Sequence, residues 1–302
     1  MELHWYPGHM AKAARELKAH LRLVDAVVEV IDARIPFSSR HPTPIGEGRP
    51  LLRVLLLSRA DLADPEWTRA WIRHFSAQGL AAVAADLRRR DWVPRLKRLL
   101  LAGGRPRQER QGLSAGPDRA PAPARPLRAG PAAAPGRGPR VRVLVAGLPN
   151  VGKSTAINAL AGRAKAGTGA LAGVTRRVQW LAAGEGLELL DSPGLLWPEA
   201  TRGRRALHLA VAGFVPDDAF DVRAVAEEFL AELAERFPER LVQRYGPECR
   251  GAGDAMLGAV AQRMGLWLPG GRPDLDRAAA VVLQDFRSGR LGRLTLETPA
   301  EG

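Results

Sequence analysis

The stretch Gly147-Leu148-Pro149-Asn150-Val151-Gly152-Lys153-Ser154-Thr155 decides the fold of this chain. Its spacing of Gly, four residues, Gly, Lys and Ser is typical of a phosphate-binding loop, and it directly follows an apolar run at residues 141–146. Backbone N–H groups and the Lys153 ammonium can surround a β/γ-phosphate, and a helix that starts near Lys153 directs its positive end at the phosphates. A chance Gly-rich turn is the weaker alternative, because the motif carries its strand and its helix. We therefore predict that the following residues bind nucleotide, with the Ser154 hydroxyl on Mg²⁺: Asn150, Val151, Gly152, Lys153, Ser154 and Thr155.

Two later motifs supply further groups that phosphate chemistry requires. Asp191 follows the apolar run 187–190 and opens Asp191-Ser192-Pro193-Gly194. A carboxylate at the end of a neighbouring strand can hold Mg²⁺ through water, and Gly194 leaves its N–H free for a γ-phosphate. Thr175 falls between the two motifs and is a candidate Mg²⁺ ligand in a loop that closes when the γ-phosphate is present. Taken singly, Thr175 is an ordinary loop threonine, but its place in this order favours a ligand.

The signal for the base lies upstream of the phosphate loop. Residues 53–57 are typical of a buried parallel strand, and Ser58-Arg59-Ala60-Asp61 follows at its carboxyl end. The Asp61 carboxylate can accept from the N1–H and N2–H₂ groups of guanine, a donor pair that adenine lacks. The usual pattern is Asn-Lys-x-Asp. Ser58 is too short to copy the paired contacts of an amide, whereas Arg59 can stack over a base or cross the phosphate loop. The alternative interpretation of Asp61 is a helix N-cap.

The order of these motifs, together with the N-terminal Trp5-Tyr6-Pro7-Gly8-His9-Met10-Ala11-Lys12-Ala13, resembles the YlqF/RbgA group of circularly permuted GTPases. The resemblance covers nearly the whole chain and implies hydrolysis of GTP to GDP and phosphate with Mg²⁺, in late maturation of the large ribosomal subunit. The implied partners are the large-subunit precursor and its rRNA, with no DNA and no membrane. Besides the nucleotide motifs, it rests on Asp32-Ala33-Arg34-Ile35-Pro36, Ser38-Ser39-Arg40, Leu196-Trp197-Pro198 and Gly292-Arg293-Leu294.

The chain departs from the family pattern at four places. They are the Ser58-Arg59 pair, His41 where the family usually has Asn, a long insert before the phosphate loop, and the lack of a clear Ser-Ala base-contact motif around Ala84-Ala85-Asp86. The first and the last concern the affinity and strictness for guanine. None of the four touches the phosphate chemistry.

Catalysis needs a residue other than the usual glutamine. Many GTPases orient the attacking water with a Gln just after the Asp-x-x-Gly motif, but Leu195 and Leu196 stand there and cannot polarise water. The resemblance implies that His9 swings in to orient the water, with Gly8 giving its loop freedom. It also makes Asn150 a candidate K⁺ ligand. The alternatives are a structural or merely exposed loop histidine for His9, and a turn-forming role for Asn150 after Pro149.

Composition bounds the classes of protein that fit. The 302 residues suffice for one large domain and a small one, and the net charge of +13 indicates an anionic partner, with nucleic acid the best candidate. Cys249 is the only cysteine, which excludes an internal disulfide and suits a reducing cytoplasm. No apolar run approaches the ~18 residues of a membrane helix. We expect a cytoplasmic protein.

Hydrophobic periodicity predicts an α/β fold, a doubly wound sheet with a small C-terminal all-α domain. We divide the chain into residues 1–102 and 140–200 as the two halves of a permuted GTPase domain, 103–139 as a flexible linker, and 201–302 as the helical domain. Predicted strands cover residues 24–31, 51–57, 80–85, 141–146, 177–182 and 187–190. Predicted helices cover 11–23, 65–77, 92–101, 205–213, 222–236, 238–245, 255–265 and 274–288.

Several alternatives stay open at this point. The Pro/Ala/Gly/Arg-rich linker 103–139 is an inert tether or an arm that touches RNA. The cluster Arg202, Arg204 and Arg205 is a solvated surface or an RNA contact. As a whole, the chain is a GTP-hydrolysing assembly factor, a GTP-dependent RNA-binding switch with little or no catalysis, or a phosphotransferase acting on a small molecule. The position of Asp61 argues against the last of these.

Overall fold

A six-stranded sheet forms the centre of the described residues between Ala26 and Asp191. The computed structural model describes residues 20–43, 45–104, 140–162, 179–184, 186–192, 194, 202–249 and 251–301. The strands lie in the order β3-β2-β1-β4-β6-β5, with all neighbours parallel except the antiparallel edge pair β5 and β6. They are β1 (Ala26–Asp32), β2 (Leu52–Ser58), β3 (Ala81–Ala84), β4 (Val141–Gly147), β5 (Gln179–Ala182) and β6 (Leu187–Asp191).

Alternating side chains of these strands enter two separate apolar layers. Val28 and Val30 of β1 pack into the large core, whereas Ile31 joins a smaller core with Trp71 and Phe75 on the other face of the sheet. All seven residues of β1 are buried. Because both faces are covered, the central strands have nearly continuous Val, Leu and Ile runs, and the predicted doubly wound sheet is confirmed.

Among the described residues, three helices connect the strands of the sheet: α1 (Pro65–Ala77), α2 (Val93–Gly103) and α3 (Lys153–Ala161). The carboxylate of Asp64 caps α1, accepting from the backbone N–H groups of Glu66 and Trp67, and Pro65 occupies the first turn, where its missing N–H costs nothing. The predicted linker starts at residue 103, but Gly103 still belongs to α2. The predicted helix at 11–23 lies almost entirely outside the described residues, as does the linker after Gly104.

Five further helices follow the second half of the sheet. They are α4 (Gly203–Val211), α5 (Val222–Arg236), α6 (Pro238–Tyr245), α7 (Asp254–Met264) and α8 (Leu275–Ser288). Their apolar faces share one core, in which the rings of Phe229 and Phe286 meet edge to face with centroids 5.4 Å apart. The predicted helices are confirmed within one or two residues. Within the described part of the chain, no helix combines the length and apolarity needed to cross a membrane.

The segment after α8 returns to the sheet and fastens the helices to it. Backbone N–H groups of Leu294 and Leu296 donate to the carbonyl oxygens of Leu62 and Arg34, at 3.1 and 2.8 Å. The indole Nε1 of Trp71 donates to the carbonyl oxygen of Glu297 at 3.0 Å. The end of the described chain therefore contacts the loops that follow both β1 and β2.

Candidate nucleotide site

The predicted motifs converge at one edge of the sheet. In the parallel register Asp32 of β1 lies beside Ser58 of β2, Val30 beside Gly147 of β4, and Val145 beside Asp191 of β6. Parallel strands share the edge at which their carboxyl ends lie, and open α/β sheets bind ligands there. The base motif and the phosphate motifs therefore meet in space, although the base motif comes first in the chain.

The phosphate loop has the backbone conformation that its sequence predicts. Asn150 and Gly152 have φ values of 57° and 110°, in a region that Asn and Gly tolerate better than other residues. Helix α3 begins at Lys153, so its first N–H groups lie at the loop. Val151 is buried, Ser154 is half-buried and Thr155 is exposed. The left-handed Asn150 agrees with its turn-forming role.

Lys153 is enclosed by the loop. Its side chain is 7 % exposed, and Nζ donates to the carbonyl oxygen of Leu148 at 2.6 Å. Burial lowers the pKa of Lys153 to about 8, and the nearby negative charge of Asp191 offsets only part of that effect. The ammonium is therefore held in a place where the negative charge of a phosphate would stabilise it.

Asp191 and Gly194 lie against the same loop. The carboxylate of Asp191 is fully buried, and the adjacent Ser192 hydroxyl donates to the carbonyl oxygen of Val145 at 2.7 Å. A Cβ at Gly194 would lie 2.6 Å from Cα of Pro149 and 3.0 Å from Nζ of Lys153. Only glycine fits so close to the loop, which brings the backbone of the Asp-x-x-Gly motif beside the lysine.

Arg59 joins the base motif to the phosphate loop. Its Nη2 donates to the carbonyl oxygen of Asn150 at 3.0 Å, its Nη1 donates to Asp32 Oδ2 at 2.8 Å, and the guanidinium lies 5.1 Å from the ring centroid of Phe214. Of the two roles predicted for Arg59, this geometry corresponds to crossing the phosphate loop. The hydroxyl of Ser58 donates to the carbonyl oxygen of Ile31 at 2.9 Å and is buried under the loop.

Asp32 anchors this arrangement from inside the protein. Arg34 donates to both of its carboxylate oxygens, through Nε at 3.1 Å and Nη2 at 2.9 Å. Burial opposes the ionised form of Asp32, but the guanidinium groups of Arg34 and Arg59 outweigh it and lower the pKa to about 2. Sequence reasoning assigns no role to Asp32 or Arg34 beyond the family resemblance. The available signal is an Asp-x-Arg pattern directly after a buried strand.

Asp61 faces the loop that follows β3. Arg88 of that loop donates through Nη2 to Asp61 Oδ2 at 2.7 Å. The alternative interpretation of Asp61 as a helix N-cap is wrong, because Asp64 caps α1. The sequence did not single out Arg88.

A buried ionic cluster connects the helices to the loop after β1. Nδ1 of His208 lies 2.9 Å from Glu297 Oε1, and Nε2 lies 3.0 Å from Glu232 Oε2. Burial alone would lower the pKa of His208, but the two carboxylates raise it to about 9. Glu297 also accepts from the backbone N–H groups of Phe37 and Ser38, at 2.7 and 3.1 Å. The cluster therefore holds α4, which follows the Asp-x-x-Gly segment in the chain, to the loop after β1.

The predicted arginine cluster lies at the same junction. Arg205 donates to the carbonyl oxygens of Phe37, Ser38 and Arg40, and Arg204 pairs with Glu232 at 2.7 Å. The sequence indicates a solvated surface or an RNA contact for these two residues. Neither alternative includes these contacts within the chain. The apolar periodicity of α4 in the sequence does not reveal these contacts.

Two predicted site residues, His9 and Thr175, lie outside the described residues. The described part of the site thus brings together Ser58, Arg59, Asp61, Asn150, Val151, Gly152, Lys153, Ser154, Thr155, Asp191 and Gly194 at one sheet edge.

Comparison with known proteins agrees with this geometry. A family model described as a 50S ribosome-binding GTPase matches residues 142–236, which begin in the strand before the phosphate loop. Ribosome biogenesis GTPase A of Bacillus licheniformis is 37 % identical over all of this chain and all of its own length. The protein of the same name from Bacillus cereus is 34 % identical over 100 % of this chain and 95 % of its own. The chain belongs to the ribosome biogenesis GTPase A family.

Solved structures show the same fold. A YlqF structure from T. maritima with bound GNP superposes with a TM-score of 0.60 at 27 % identity, covering 96 % of this chain and 100 % of that one. A GDP-bound TM YlqF structure gives 0.61 at 28 % identity, over 95 % and 100 %. The predicted family, the permuted GTPase fold and the enzyme class are confirmed. The family model starts at residue 142 and so leaves out Asp61, as expected when the base motif precedes the phosphate loop.

Proposed function

We propose that this chain binds GTP with Mg²⁺ at the carboxyl edge of its sheet, hydrolyses it, and acts in late maturation of the large ribosomal subunit. The observation that carries the proposal is the contact between Arg59 and the carbonyl oxygen of Asn150, since it unites a guanine motif with a phosphate loop despite their reversed order in the chain. Membership of the ribosome biogenesis GTPase A family supports both the activity and the process.

The donor set suits a magnesium ion. The Asp191 carboxylate and the Ser154 hydroxyl offer hard oxygen ligands beside the buried Lys153, and Thr175 completes the proposed set. When bound, Mg²⁺ would neutralise charge on the β- and γ-phosphates. Lys153 supplies a second positive charge, and the N–H groups that open α3 point at the same place.

We assign the orientation of the attacking water to His9 and a K⁺ contact to Asn150. The support for His9 is indirect: Leu195 and Leu196 stand where the usual glutamine would be. Asn150 occupies the phosphate loop beside the charged Arg59, and its carbonyl oxygen is already engaged by that guanidinium. We assign this contact to the amide oxygen of the Asn150 side chain.

The proposed partner is a precursor of the large subunit and its rRNA, in the cytoplasm. A net charge of +13 favours binding to RNA phosphates, and the family model is described as a 50S ribosome-binding GTPase. Helix α4 follows the Asp-x-x-Gly segment and is tied through His208 to Glu297. Loss of the γ-phosphate would therefore be communicated to the helices that surround this cluster.

Phosphate release from GTP and from ATP tests the activity. We expect faster turnover of GTP than of ATP, and loss of GTP turnover in Lys153→Ala. Lys97→Ala removes the same kind of group from α2, away from the phosphate loop, and should turn over GTP at the wild-type rate. Equal turnover of ATP, or full activity of Lys153→Ala, would exclude the proposed site.

Pelleting with separated ribosomal subunits tests the partner. At matched physiological salt we expect co-sedimentation with large-subunit particles in the presence of a non-hydrolysable GTP analogue, weaker association with GDP, and faster hydrolysis in the presence of those particles. Non-specific attachment to RNA would be equal for both subunits and all nucleotide states, and would fall smoothly with salt. That result, with no rate stimulation, would leave a basic GTP-binding switch as the better description.

A further inference from the structure

Arg88 bridges two carboxylates at the base side of the site. Its Nη2 lies 2.7 Å from Asp61 Oδ2 and 3.0 Å from Asp86 Oδ2, and its Nε lies 2.9 Å from Asp86 Oδ1. Asp61 belongs to the base motif after β2, whereas Asp86 and Arg88 belong to the loop after β3. One guanidinium therefore joins the two loops that flank the base position.

Arg88 is held in place although its side chain is 76 % exposed. Asp86 engages it through both carboxylate oxygens and also accepts from the backbone N–H of Arg88 at 3.0 Å. These hydrogen bonds, with the positive charge of Arg88, lower the pKa of Asp86. Backbone bonds hold the two loops together: Ala60 N–H donates to the carbonyl oxygen of Ala85, and Ala85 N–H to that of Leu57. The guanidinium thus occupies a defined position before any ligand arrives.

We propose that Arg88 is a positioning residue for guanine recognition, which fixes the Asp61 carboxylate in the orientation that accepts from the base. The proposal rests on the proposed GTP-binding function. An ionised carboxylate has about four acceptor positions, and Arg88 uses one of those on Oδ2. Oδ1 and the second position on Oδ2 remain for the N1–H and N2–H₂ groups of guanine.

The role follows from what the neighbouring residues do instead. The hydroxyl of Ser58 donates to the carbonyl oxygen of Ile31, and the guanidinium of Arg59 donates to Asp32 and to the carbonyl oxygen of Asn150. The charge of Arg59 also acts on Asp61, but the side-chain hydrogen bond that Asp61 accepts in the described chain comes from Arg88. Residues 84–86, at the end of β3 and the start of the next loop, include no serine. Arg88, two residues after Asp86, supplies the charged donor that reaches Asp61. Pre-orientation of a recognition group strengthens binding because less ordering remains to be done.

Arg88→Ala tests the proposal by equilibrium binding of GTP, GDP and inosine triphosphate to the full chain. Exposed ion pairs contribute little, so we expect a loss of about twofold to fivefold in affinity for both guanine nucleotides. Inosine lacks the 2-amino group and uses Asp61 less fully, so its affinity should fall less and the ratio of GTP to inosine triphosphate affinity should narrow. Hydrolysis at saturating GTP should keep its rate, and Arg88→Lys should recover part of the affinity.

Arg89→Ala is the matched control. Arg89 is the neighbouring, equally exposed arginine, but it pairs with Asp91 at 3.3 Å, so its removal changes the net charge without touching Asp61. Combining Arg88→Ala with Asp61→Ala gives a double-mutant cycle, in which Arg88→Ala should have no further effect on the nucleotide ratio. Arg88→Gln, measured in parallel, keeps a polar side chain but removes the charge and the forked guanidinium donors, so it should behave like Arg88→Ala.

The sign of the effect decides the outcome. Tighter binding of GTP and GDP by Arg88→Ala would mean that Arg88 competes with the base, and unchanged binding would mean that it is irrelevant to recognition; either result overturns the proposal. If the wild-type chain bound neither GTP nor GDP, the proposed function itself would fail. An Arg88 effect that persists without Asp61 would contradict the assigned route through that carboxylate.

Discussion

The guanidinium of Arg59 lies 3.0 Å from the carbonyl oxygen of Asn150, on the opposite half of a permuted domain. Arg59 has a φ of 54°, an unusual value for a residue other than glycine, and it also contacts Asp32 and the ring of Phe214. One side chain therefore links the base motif, the phosphate loop and the helices. These three contacts occur together with the left-handed backbone of Arg59.

Arg59→Ala should weaken the binding of GTP and GDP alike, because the phosphate loop loses its tie to the base motif. Stability should fall by about 1–2 kcal/mol, the usual effect of losing charged hydrogen bonds, since Asp32 keeps Arg34 as a partner. Fluorescent-nucleotide titration and chemical denaturation measure the two effects. Arg98→Ala, an exposed arginine of α2, serves as the control. Unchanged affinity would show that the contact is incidental to binding.

Nucleotide affinity should depend on pH through Lys153. Its pKa is depressed to about 8, and only the protonated form attracts phosphate, so affinity should fall as pH rises through 8, by up to about tenfold per pH unit. Binding should take up protons between pH 8 and the usual lysine pKa, since the phosphates restore the charge. Calorimetry in two buffers of different ionisation enthalpy detects that uptake. Lys153→Arg, whose guanidinium stays charged, should bind weakly without this dependence.

Stability should decline at alkaline pH because of His208. Its folded pKa of about 9 lies above the usual value near 6.5, so its contribution is fully present below pH 6.5 and is lost as pH rises through 9. The loss should be on the order of 3 kcal/mol, from the size of the pKa shift. Denaturation curves at pH 6.5 and 9 measure it. His208→Gln should be less stable at pH 6.5 by about 3 kcal/mol and show a flatter profile.

Preference for guanine should depend on Asp61 and be looser than in relatives with Asn and Lys at positions 58 and 59. The absent amide should cost about 1–3 kcal/mol of discrimination against ATP. Competition of ATP and xanthosine triphosphate against labelled GTP measures this. Asp61→Asn should shift preference toward the xanthine nucleotide, whose 2-oxo group accepts from an amide. Equal competition by ATP against the wild-type chain would refute the assignment.

His9→Ala should lower the ribosome-stimulated rate of hydrolysis and leave GTP affinity nearly unchanged, because a water-orienting residue acts in the transition state. Single-turnover hydrolysis with large-subunit particles, beside nucleotide titration, separates the two effects. A wild-type rate would make His9 a structural loop residue. Replacing K⁺ by Na⁺ in the same assay tests Asn150, and an Asn150→Ala variant should lose any difference between the two ions.

The sheet edge could be predicted from sequence because its motifs carry their own strands and helices. The run before Gly147 and the helix after Lys153 are local signals, and the apolar β2 places Asp61 at a strand end in the same way. The C-terminal helices were predictable for a similar reason. Their apolar periodicity predicts them, and the structure adds caps such as Asp221, which accepts from the N–H groups of Arg223 and Ala224 at the start of α5.

Contacts between distant segments were not predictable in this way. The sequence indicates a solvated surface residue or an RNA contact at Arg205, but its guanidinium donates to carbonyl oxygens more than 160 positions earlier in the chain. The role of Arg88 could not be predicted from sequence, because its partner Asp61 belongs to a different loop, 27 residues away. Side chains that satisfy one another over such separations leave no periodic pattern, and only tertiary structure reveals them.

The contact between Glu297 and the loop at Ser38 imposes an order of events during synthesis. Ser38 leaves the translating ribosome 259 residues before the carboxylate that accepts from its N–H. The backbone N–H of Asp64 likewise donates to the hydroxyl of Thr295, which is synthesised 231 residues later. The base-recognition half is therefore made first and completed last. When the phosphate loop has emerged from the ribosome, the nascent chain still lacks the C-terminal segment that holds the loops after β1 and β2. Full competence to bind nucleotide should therefore arise only after α8 and the segment that follows it have emerged.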